Sequence, residues 1–543
     1  MSRLGWFCLS LAAFALTAAP SHLGFTKSPD AGISQSPDAQ PAPLADPSAL
    51  PDDRPDLRMA FRIDELLAAD AARDQIEMAP LAGDAEFLRR VSLDLTGVIP
   101  TVAEARAFLA DADPNKRRQL IDRLLESSWH ADHLATTWRN MMVPRGSTVD
   151  GFDGQAGLQN WLRRQFLKNQ RYDQMVADLL VANGVAQDGP GLFFTAFDLK
   201  PEELAANTAR VFLGIQIECA QCHDHPFDKW KQQDFWSYAA FFARLSRAGD
   251  NPGGRGMMRL VDKRDGEVML PGSQTAVAPR YPRGDEPAAN EVGTRRMQLG
   301  IWMVSRDNPF LARAAVNRAW AFMFGRGLVE PVDDLSEQNR ASHPQLFNEL
   351  STYFVESGFD LRNLLRTLSN TRAYQRSSRA AQGENARPEA FARMPVKALT
   401  PEQFYDSLMR AALMTEPQSE ATGGFDVRRQ AFVAKLQSQT ASRLEYDAGV
   451  AQVLLLLNGA EVAAATTGPT SGLLAALDAP VFSDRERVEI LFISLLSRLP
   501  DEREMTRALE HLARGASAGD ESQRALGDLL WALLNSAEFA LNH

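Results

Sequence analysis

Apolar residues recur at helical spacing along most of the chain. In the stretch NKRRQLIDRLLES they fall at Leu120, Ile121, Leu124 and Leu125, which places them on one face of a helix. The stretches LQNWLRRQFLKN, YDQMVADLLVAN and LGDLLWALLNSAEFALNH show similar spacing. Strand-like and helix-like segments do not alternate, as they would in a protein built on a parallel sheet. The sequence therefore predicts a mostly α fold.

Capping residues mark the ends of several of these predicted helices. Thr101 is followed three residues later by Glu104, which is the pattern of a capping box. Asn308 and Pro309 begin another helix and Gly325 ends it, as expected for a cap, a first-turn proline and a C-terminal glycine. Asp360 is placed to cap the segment FDLRNLLRTLSN.

A stretch rich in glycine and proline, residues 247–290, interrupts the helical pattern. Within it, Asp265 and Gly266 lie between two β-type runs and predict a small hairpin turn. We therefore expect two helical domains, residues 57–246 and 291–543, separated by a small β-hairpin/loop region.

The N-terminal residues 1–19 have the layout of a secretory signal peptide. Arg3 is followed by an apolar run and then by small residues suited to cleavage. The run is shorter than the roughly 20 apolar residues that a retained anchor needs. Residues 20–56 are rich in Pro, Ala and Ser and predict a disordered linker. We expect a periplasmic or otherwise extracytoplasmic protein with no membrane span after signal removal.

The overall charge argues against two classes of partner. The formal net charge is -11 and the pI is about 5.4. Nucleic acids and anionic membrane surfaces attract basic faces. No run of lysine or arginine stands out in the sequence, so neither partner is expected.

Two of the three cysteines lie in one short motif, ECAQCHDHPFDKW, at Cys219 and Cys222, and His223 follows directly. Covalent haem attachment needs two thiols at this spacing for the two vinyl groups, and an adjacent imidazole for the iron. Cys-X-X-Cys-His supplies all three, and attachment outside the cytoplasm agrees with the signal peptide. The motif predicts c-type haem bound by Cys219 and Cys222, with His223 as an axial iron ligand.

Two other uses of the same cysteines remain open. Both thiolates could bind zinc together with His225 and with His130, His133 or His343. Alternatively, the two sulfurs could form a disulfide, which would close a very small loop and stabilise little.

A sixth iron ligand cannot be read from the motif. Met257 or Met258 is the candidate, with Met269 further downstream, since a methionine ligand would raise the reduction potential. Each of these methionines also fits an ordinary packing role. An apolar wall for the haem could come from the aromatic residues after the motif, namely Phe227, Trp230, Phe235 and Trp236.

Long stretches of the chain resemble a known pair of domains. FLRRVSLDLTGVIPT, YDQMVADLLVA and FLGIQIECAQCHDHPFDKWKQQDFWSYAAFFA closely resemble the cytochrome-like domain of unknown function that is abundant in planctomycete bacteria. NPFLARAAVNRAWAFMFGRGLVEPVDDL, ASHPQLFNELSTYFVESGFDLRNLLRTLSNTRAYQRSS and LLWALLNSAEFALNH resemble the partner domain that usually follows it. The resemblance covers roughly residues 58–245 and 290–543.

The resemblance implies an exported, haem-associated protein. The cysteine-histidine motif of the family maps onto Cys219, Cys222 and His223, with HPFDKW intact after it. Many relatives carry a further cytochrome c domain at the N-terminus. This chain has only the predicted linker there, so electron relay between two haems within one chain is not implied.

Polar residues also concentrate in the second predicted domain. They are Asn317, Arg318, Arg326, Asp333, Asp334 and His343. A functional interpretation makes them a pocket for a carbohydrate or another ligand. The structural interpretation, which we favour, has Gly325 and Gly327 ending one helix, Ser342 capping the next, and the charged residues paired across the loop.

Three hypotheses for function follow from these patterns. The first is an exported c-type-haem protein for electron transfer, or for redox chemistry coupled to a redox protein or a co-exported enzyme. The second is a haem-free binding or structural protein with zinc or a disulfide at the two cysteines. The third is an enzyme acting on polysaccharide, although no Ser/His/Asp order, phosphate loop or His-Glu-X-X-His helix is present. Whether the chain is an enzyme therefore stays open, and its catalytic residues are unknown.

Overall fold

The computed structural model describes most of the chain after residue 53. The described residues are 54–143, 154–185, 189–248, 259–282, 284, 286–287, 293–379, 387–414, 427–436, 459–468, 470–515 and 521–543. The predicted signal peptide and residues 20–53 of the predicted linker lie outside this set. The first helix begins at Pro55, close to the predicted start of the helical region at residue 57.

Helices form most of the first half of the described chain, as predicted. They are α1 Pro55–Arg73, α2 Asp84–Thr96, α3 Val102–Ala110, α4 Lys116–Glu126, α5 Ser128–Met142, α6 Gly154–Leu167, α7 Tyr172–Leu180, α8 Gly191–Thr195, α9 Pro201–Thr208 and α10 Gln232–Ala239. A π-helical turn, Ala209–Leu213, follows α9, and a 3₁₀ turn covers Glu218–Gln221. The predicted capping box at the start of α3 is present, since Thr101 and Glu104 each accept the other's backbone N–H.

The second half is also helical. Its helices are α11 Arg295–Met303, α12 Leu311–Phe324, α13 Pro344–Glu356, α14 Leu361–Asn370, α15 Arg372–Gln375, α16 Pro401–Ala411, α17 Val427–Leu436, α18 Ala460–Thr466, α19 Gly472–Leu477, α20 Asp484–Leu496, α21 Glu502–Gly515, α22 Glu521–Leu534 and α23 Ala537–Ala540. A 3₁₀ turn covers Pro388–Ala390. Gly325 ends α12 at a positive φ of 77° and the Asp360 side chain caps α14, both as predicted.

Short antiparallel strands make up the small sheets. They are β1 Gly184–Val185, β2 Leu245–Ala248, β3 Arg259–Asp262, β4 Val268–Met269, β5 Ala276–Val277, β6 Lys397–Ala398 and β7 Leu541–Asn542. Among the described residues, β3 pairs with both β1 and β2, β4 pairs with β5, and β6 pairs with β7. Residues 247–290 therefore contain small hairpins, as predicted.

The turn predicted at Asp265 and Gly266 does not close a hairpin. It links β3 to β4, and these two strands belong to different sheets. Gly266 has a φ of 127°, and a Cβ atom there would come within 2.9 Å of the Ala243 carbonyl oxygen. The Asp-Gly pair marks a real turn, but the strand partners lie elsewhere in the sequence, which a local turn pattern cannot show.

The described residues share two main apolar cores. The larger contains residues from α1 through α14, together with Phe391, Met394 and Ile493, so it runs across the predicted connector. The smaller joins Leu93 and Ile99 to residues 404–539. All described residues belong to one compact unit.

A fully buried charged pair connects distant parts of the chain. Lys397 Nζ on β6 lies 2.7 Å from Asp94 Oδ1 on α2, and both side chains are almost inaccessible. Tyr374 Oη and Asn542 Nδ2 each donate to the same carboxylate at 2.8 Å. Buried charges are stable only when they are paired and hydrogen-bonded in this way.

Asn542 reaches that cluster because the C-terminus is not one continuous helix. The pattern LGDLLWALLNSAEFALNH predicts a helix, but α22 ends at Leu534, Ser536 caps the short α23, and the chain then extends into β7. Pairing of β7 with Lys397–Ala398 overrides the helical spacing. In the described parts of the chain, no helix has the length and apolarity needed to cross a membrane.

Candidate functional site

The Cys-X-X-Cys-His motif lies on the surface between the π-helical turn and α10. The π-turn ends at Gly214, which has a φ of 63°. Ile217 and Ala220 then point into the larger core. Because the intervening turn is a 3₁₀ turn anchored by these two residues, Cys219, Cys222 and His223 all face outward and are exposed.

Both cysteines are free thiols in this structure, and no disulfide joins them. Exposed sulfurs at this spacing are accessible to a large planar group from the solvent side. A closed pocket around the motif would have left no room for a macrocycle. The surface position is compatible with haem attachment.

The hydrogen bond of His223 defines its tautomer. Nδ1 lies 2.8 Å from the carbonyl oxygen of Asp224. A carbonyl can only accept, so Nδ1 carries the proton, and the lone pair of the neutral ring is on Nε2. Metal-binding histidines commonly donate their second nitrogen to a carbonyl in this manner. His223 therefore has the tautomer that an iron ligand requires.

His225 has the opposite arrangement. Its Nδ1 accepts the backbone N–H groups of Phe227 at 3.2 Å and Asp228 at 2.8 Å. The lone pair of the neutral ring is thus used within the turn, and the proton is on Nε2. The backbone N–H of His225 also donates to the Trp230 carbonyl at 2.8 Å, which closes the HPFDKW loop. His225 stabilises the loop and is not prepared to bind a metal.

Side chains on helix α10 hydrogen-bond the backbone of the motif. Gln232 Nε2 donates to the carbonyl oxygens of Cys222 at 2.8 Å and Gln221 at 3.2 Å. Trp236 Nε1 donates to the Gln221 carbonyl at 3.0 Å. The backbone N–H of Gln232 donates to Asp224 Oδ1 at 2.9 Å. Gln232 and Asp224 did not stand out in the sequence, because no motif marks a side chain that hydrogen-bonds a loop carbonyl or N–H group.

The four aromatic residues after the motif have different roles. Trp230 and Phe235 belong to the larger core, and Trp236 packs against it while holding Gln221. Phe227 is 74% exposed. The predicted aromatic wall is therefore mostly core: Trp236 is half-buried, and Phe227 is the most exposed of the four rings.

A loop of the second half packs against the chain that precedes the motif. The backbone N–H of Leu335 donates to the Gly214 carbonyl at 2.8 Å. Asp333 accepts from Gln216 at 3.0 Å and from Arg210 at 3.2 Å. On the other side of the motif, Lys229 Nζ lies 2.6 Å from Glu337. Residues 325–343 therefore help to position the motif.

The other polar residues of that loop have local structural partners. Asn317 is fully buried and bonds the backbone of Val329 and Val332 at 2.9 Å. The guanidinium of Arg318 donates to the Val211 and Arg210 carbonyls, at the C-terminal end of the π-turn. Burial lowers the pKa of Arg318, and the nearby Asp333 opposes this shift.

Arg326, Asp334 and His343, the other polar residues singled out in the second half, also contact nearby protein groups. Arg326 lies 3.6 Å from Glu389, and Asp334 accepts from Asn339 at 2.7 Å. His343 Nε2 lies 3.6 Å from Asp70, and burial lowers the pKa of this histidine. The six residues therefore do not gather around one ligand pocket, which agrees with the structural interpretation.

One detail of that interpretation is wrong. Ser342 does not cap α13: the N-cap residue is His343, and its side chain makes no capping bond. The Ser342 hydroxyl donates instead to the Leu328 carbonyl at 3.2 Å. The proline at the first position of α13 shifts the helix start by one residue relative to the serine.

The histidines proposed as zinc ligands are dispersed. His130 is buried, with Nδ1 2.8 Å from the Leu95 carbonyl, and His133 packs against Phe322. His343 contacts Asp70. Within the described ranges, no group of three or more His, Cys, Asp or Glu is arranged to hold a metal ion.

The sixth-ligand candidates Met257 and Met258 lie outside the described residues. Met269 lies on β4 and is exposed. The iron-binding role of each methionine stays a prediction.

The donor set at the motif fits a c-type haem. Two exposed thiols could form the two thioether bonds, and the exposed imidazole of His223 has its lone pair on Nε2. Cys219, Cys222 and His223 are the residues that would hold the group. Gln232 and Trp236 would keep the peptide carbonyls of the motif in place.

Comparison with known proteins finds two families. A family described as PSCyt2, protein of unknown function (DUF1549), matches residues 62–247. A second, described as PSD1, protein of unknown function (DUF1553), matches residues 295–442. The first match contains the Cys-X-X-Cys-His motif, and the second contains the loop at residues 325–343. No curated protein and no solved structure is significantly similar to the chain.

Proposed function

Because this chain belongs to the proteins in which a PSCyt2 domain precedes a PSD1 domain, we propose that it is an exported electron-transfer protein with one covalently bound haem. Cys219 and Cys222 form the thioether bonds, and His223 is the proximal iron ligand. The partner is a redox protein or an enzyme exported with it.

One observation carries the proposal. His223 donates its Nδ1–H to the Asp224 carbonyl and directs the opposite lone pair outward, directly after two exposed free thiols. His225, two residues later, has the other tautomer. The two imidazoles of this turn therefore differ in which nitrogen carries the lone pair, and that of His223 is on Nε2.

The residues of the chain have three tasks in this function. The thiols attach the cofactor, His223 ligates the iron, and α10 fixes the orientation of the loop through Gln232 and Trp236. A haem held there supplies reversible one-electron chemistry. Because Cys219, Cys222 and His223 are exposed, a group held by them would be accessible to an incoming partner, which favours transfer between proteins.

The apolar leader at residues 4–16 supports export, since covalent haem attachment takes place outside the cytoplasm. The acidic overall composition favours a basic face on the redox partner. Both points rest on the sequence and are part of the proposal.

The test is the visible absorption spectrum of the full chain, exported from a host that has a haem-attachment system. We expect a Soret band and an α band in the reduced protein. His223→Ala should shift both bands, because the iron loses its proximal imidazole. His225→Ala is the matched control, since it removes an imidazole from the same loop, and its bands should stay in place.

Two results would contradict the proposal. Purified wild-type protein could lack a Soret band although a known cytochrome matures in the same host. Alternatively, His225→Ala could shift the bands as much as His223→Ala, and this result would contradict the assignment of His223 as the iron ligand. Stoichiometric zinc in the colourless protein would favour the haem-free alternative.

A further inference from the structure

A second candidate site is lined by residues between 244 and 298, from the end of the first family segment to the start of the second. A cavity of about 710 Å³ opens there between the residue before β2, the turn after β3 and the start of α11. Four cationic side chains line it, those of Arg244, Lys263, Arg264 and Arg295. Volumes of this order accommodate small-molecule ligands.

The two described carboxylates that line the cavity are already paired with arginines. Asp262 lies 2.7 Å from the buried guanidinium of Arg296. Glu286 lies 3.1 Å from Arg280. Neither lining carboxylate is therefore available to neutralise the four cations of the wall.

Glu267 is a third carboxylate in this region, and two arginines share it. It lies 2.7 Å from Arg244 and 2.8 Å from Arg295. These contacts lower the pKa of Glu267 against the effect of its partial burial, so it stays ionised. One carboxylate thus balances two guanidinium groups.

Lys263 and Arg264 are exposed, and their side chains have no bonding partner among the described residues. The six cations of this part of the described chain, Arg244, Lys263, Arg264, Arg280, Arg295 and Arg296, therefore lie near four carboxylates, those of Asp262, Asp265, Glu267 and Glu286. The local excess is positive, although the whole chain has a net charge of -11.

The position of α11 adds to this excess. Its first turn contains Arg295 and Arg296 and no acidic residue. The N-terminal end of a helix is the positive end of its dipole, where cations are unfavourable and anions are favourable. The positive charges of Arg295 and Arg296 are repelled by the positive end of the helix dipole and by the neighbouring cations, and this repulsion destabilises the folded state. A bound anion would reduce the repulsion.

We propose that this cavity binds a small polyanion with two or more carboxylate, phosphate or sulfate groups. Guanidinium groups bind such oxyanions through paired hydrogen bonds. Ala278, Pro279 and Pro287 form the apolar part of the wall, and none of the described residues that line it is aromatic. Recognition therefore depends on charge. The site does not depend on the haem proposal.

The test is isothermal titration of the full chain at low ionic strength with three probes, namely pyrophosphate, citrate and a disulfated disaccharide. We expect at least one probe to bind, and added NaCl to weaken the binding. The double variant Lys263→Ala/Arg264→Ala should lose about tenfold or more in affinity, because two charge-assisted contacts are removed. The probe that binds best identifies the oxyanion type.

The matched control is Arg503→Ala/Arg507→Ala. It removes the same two charges from exposed positions on α21, far along the chain from the cavity residues. Its affinity should equal that of the wild type. Millimolar probe without measurable heat for the wild type would overturn the proposal. Equal losses in the two double variants would also overturn it, since they would show only an effect of net charge.

Discussion

At the scale of single residues, hydrogen bonding separates two neighbouring histidines by chemistry. His223 donates from Nδ1 to a carbonyl, whereas His225 accepts two backbone N–H groups at Nδ1. Both lie in one turn and both are near the thiols. The sequence HDH does not distinguish them, because a tautomer depends on which backbone groups the folded loop presents.

A third histidine allows a test of stability at this scale. Burial lowers the pKa of His130 to about 4, while Arg362 and Arg366 add a smaller effect in the same direction and the Leu95 carbonyl opposes it. The unfolded state, with a pKa near 6.5, binds the proton first. This group therefore favours the folded state above about pH 6.5 and loses that contribution, about 3 kcal/mol in total, as the pH falls towards 4.

His130→Gln removes this titration. We expect the difference in unfolding free energy between wild type and variant, from urea denaturation, to shrink steadily from pH 7 to pH 4.5. Taking the difference between the two proteins cancels the contributions that other buried groups make to the pH dependence. One such group is Asp64, because burial raises its pKa to about 6. A difference that does not change with pH would show that His130 has the same pKa in the folded and unfolded states.

At the scale of elements, α10 positions a loop that has little regular structure of its own. Gln232 bonds two carbonyls of the motif, and the adjacent Gln233 is exposed on the same helix without such bonds. Both residues are glutamines on the same helix. Comparing the same substitution at the two positions therefore separates the effect of losing the contact from the effect of replacing a glutamine.

We expect Gln232→Ala to loosen the motif. Loss of these hydrogen bonds should destabilise the loop by about 1 kcal/mol and raise hydrogen–deuterium exchange in peptides covering residues 218–230. Exchange in Gln233→Ala should match the wild type. If both variants exchange at the wild-type rate, the loop does not depend on α10.

The buried pair of Lys397 on β6 and Asp94 on α2 is predicted to contribute more to the free energy of unfolding than the contacts of Gln232 do. Lys397→Met leaves the buried carboxylate of Asp94 without its cation. We expect this to cost about 3–5 kcal/mol, measured by urea denaturation. Lys229→Met breaks the exposed pair with Glu337 and should cost less than about 1 kcal/mol. Similar costs for the two variants would mean that the buried pair contributes no more to stability than the exposed one.

Sequence patterns predicted the secondary-structure elements better than they predicted which elements pair with each other. Helical spacing and caps at Thr101, Gly325 and Asp360 were confirmed because they depend on contacts within one turn. The pairing of β3 and the strand β7 were not predicted, since their partners lie far away in the sequence. The cavity at Arg244 was missed for the same reason: its cations come from separate segments and form no run.

The candidate site shows the same limit. Cys219, Cys222 and His223 could be identified from spacing, because covalent attachment imposes it. Gln232 and Asp224 could not, since their role is to bond a particular carbonyl or N–H group in the folded loop.

At the scale of the whole molecule, the two family segments share one core. Tyr172 donates its backbone N–H to the Phe359 carbonyl at 3.0 Å, and its ring packs against Phe354. The larger core continues from α1 to α14 across residues 247–290. The cysteine motif is therefore positioned by both segments.

We expect the first segment to depend on the second for stability. A fragment of residues 54–246 would expose the apolar surface that contacts α12 and α14. It should lack the cooperative thermal transition that residues 54–543 show, as followed by circular dichroism. A fragment that melts cooperatively near the temperature of the longer chain would demonstrate an independent domain.

The central claim concerns covalent attachment at one motif, and intact mass spectrometry of the denatured protein tests it most directly. After export from a haem-attaching host, the wild-type chain should carry the mass of one haem, and Cys219→Ser/Cys222→Ser should carry none. A wild-type mass equal to that of the bare polypeptide, from a host that matures other cytochromes, would contradict the account.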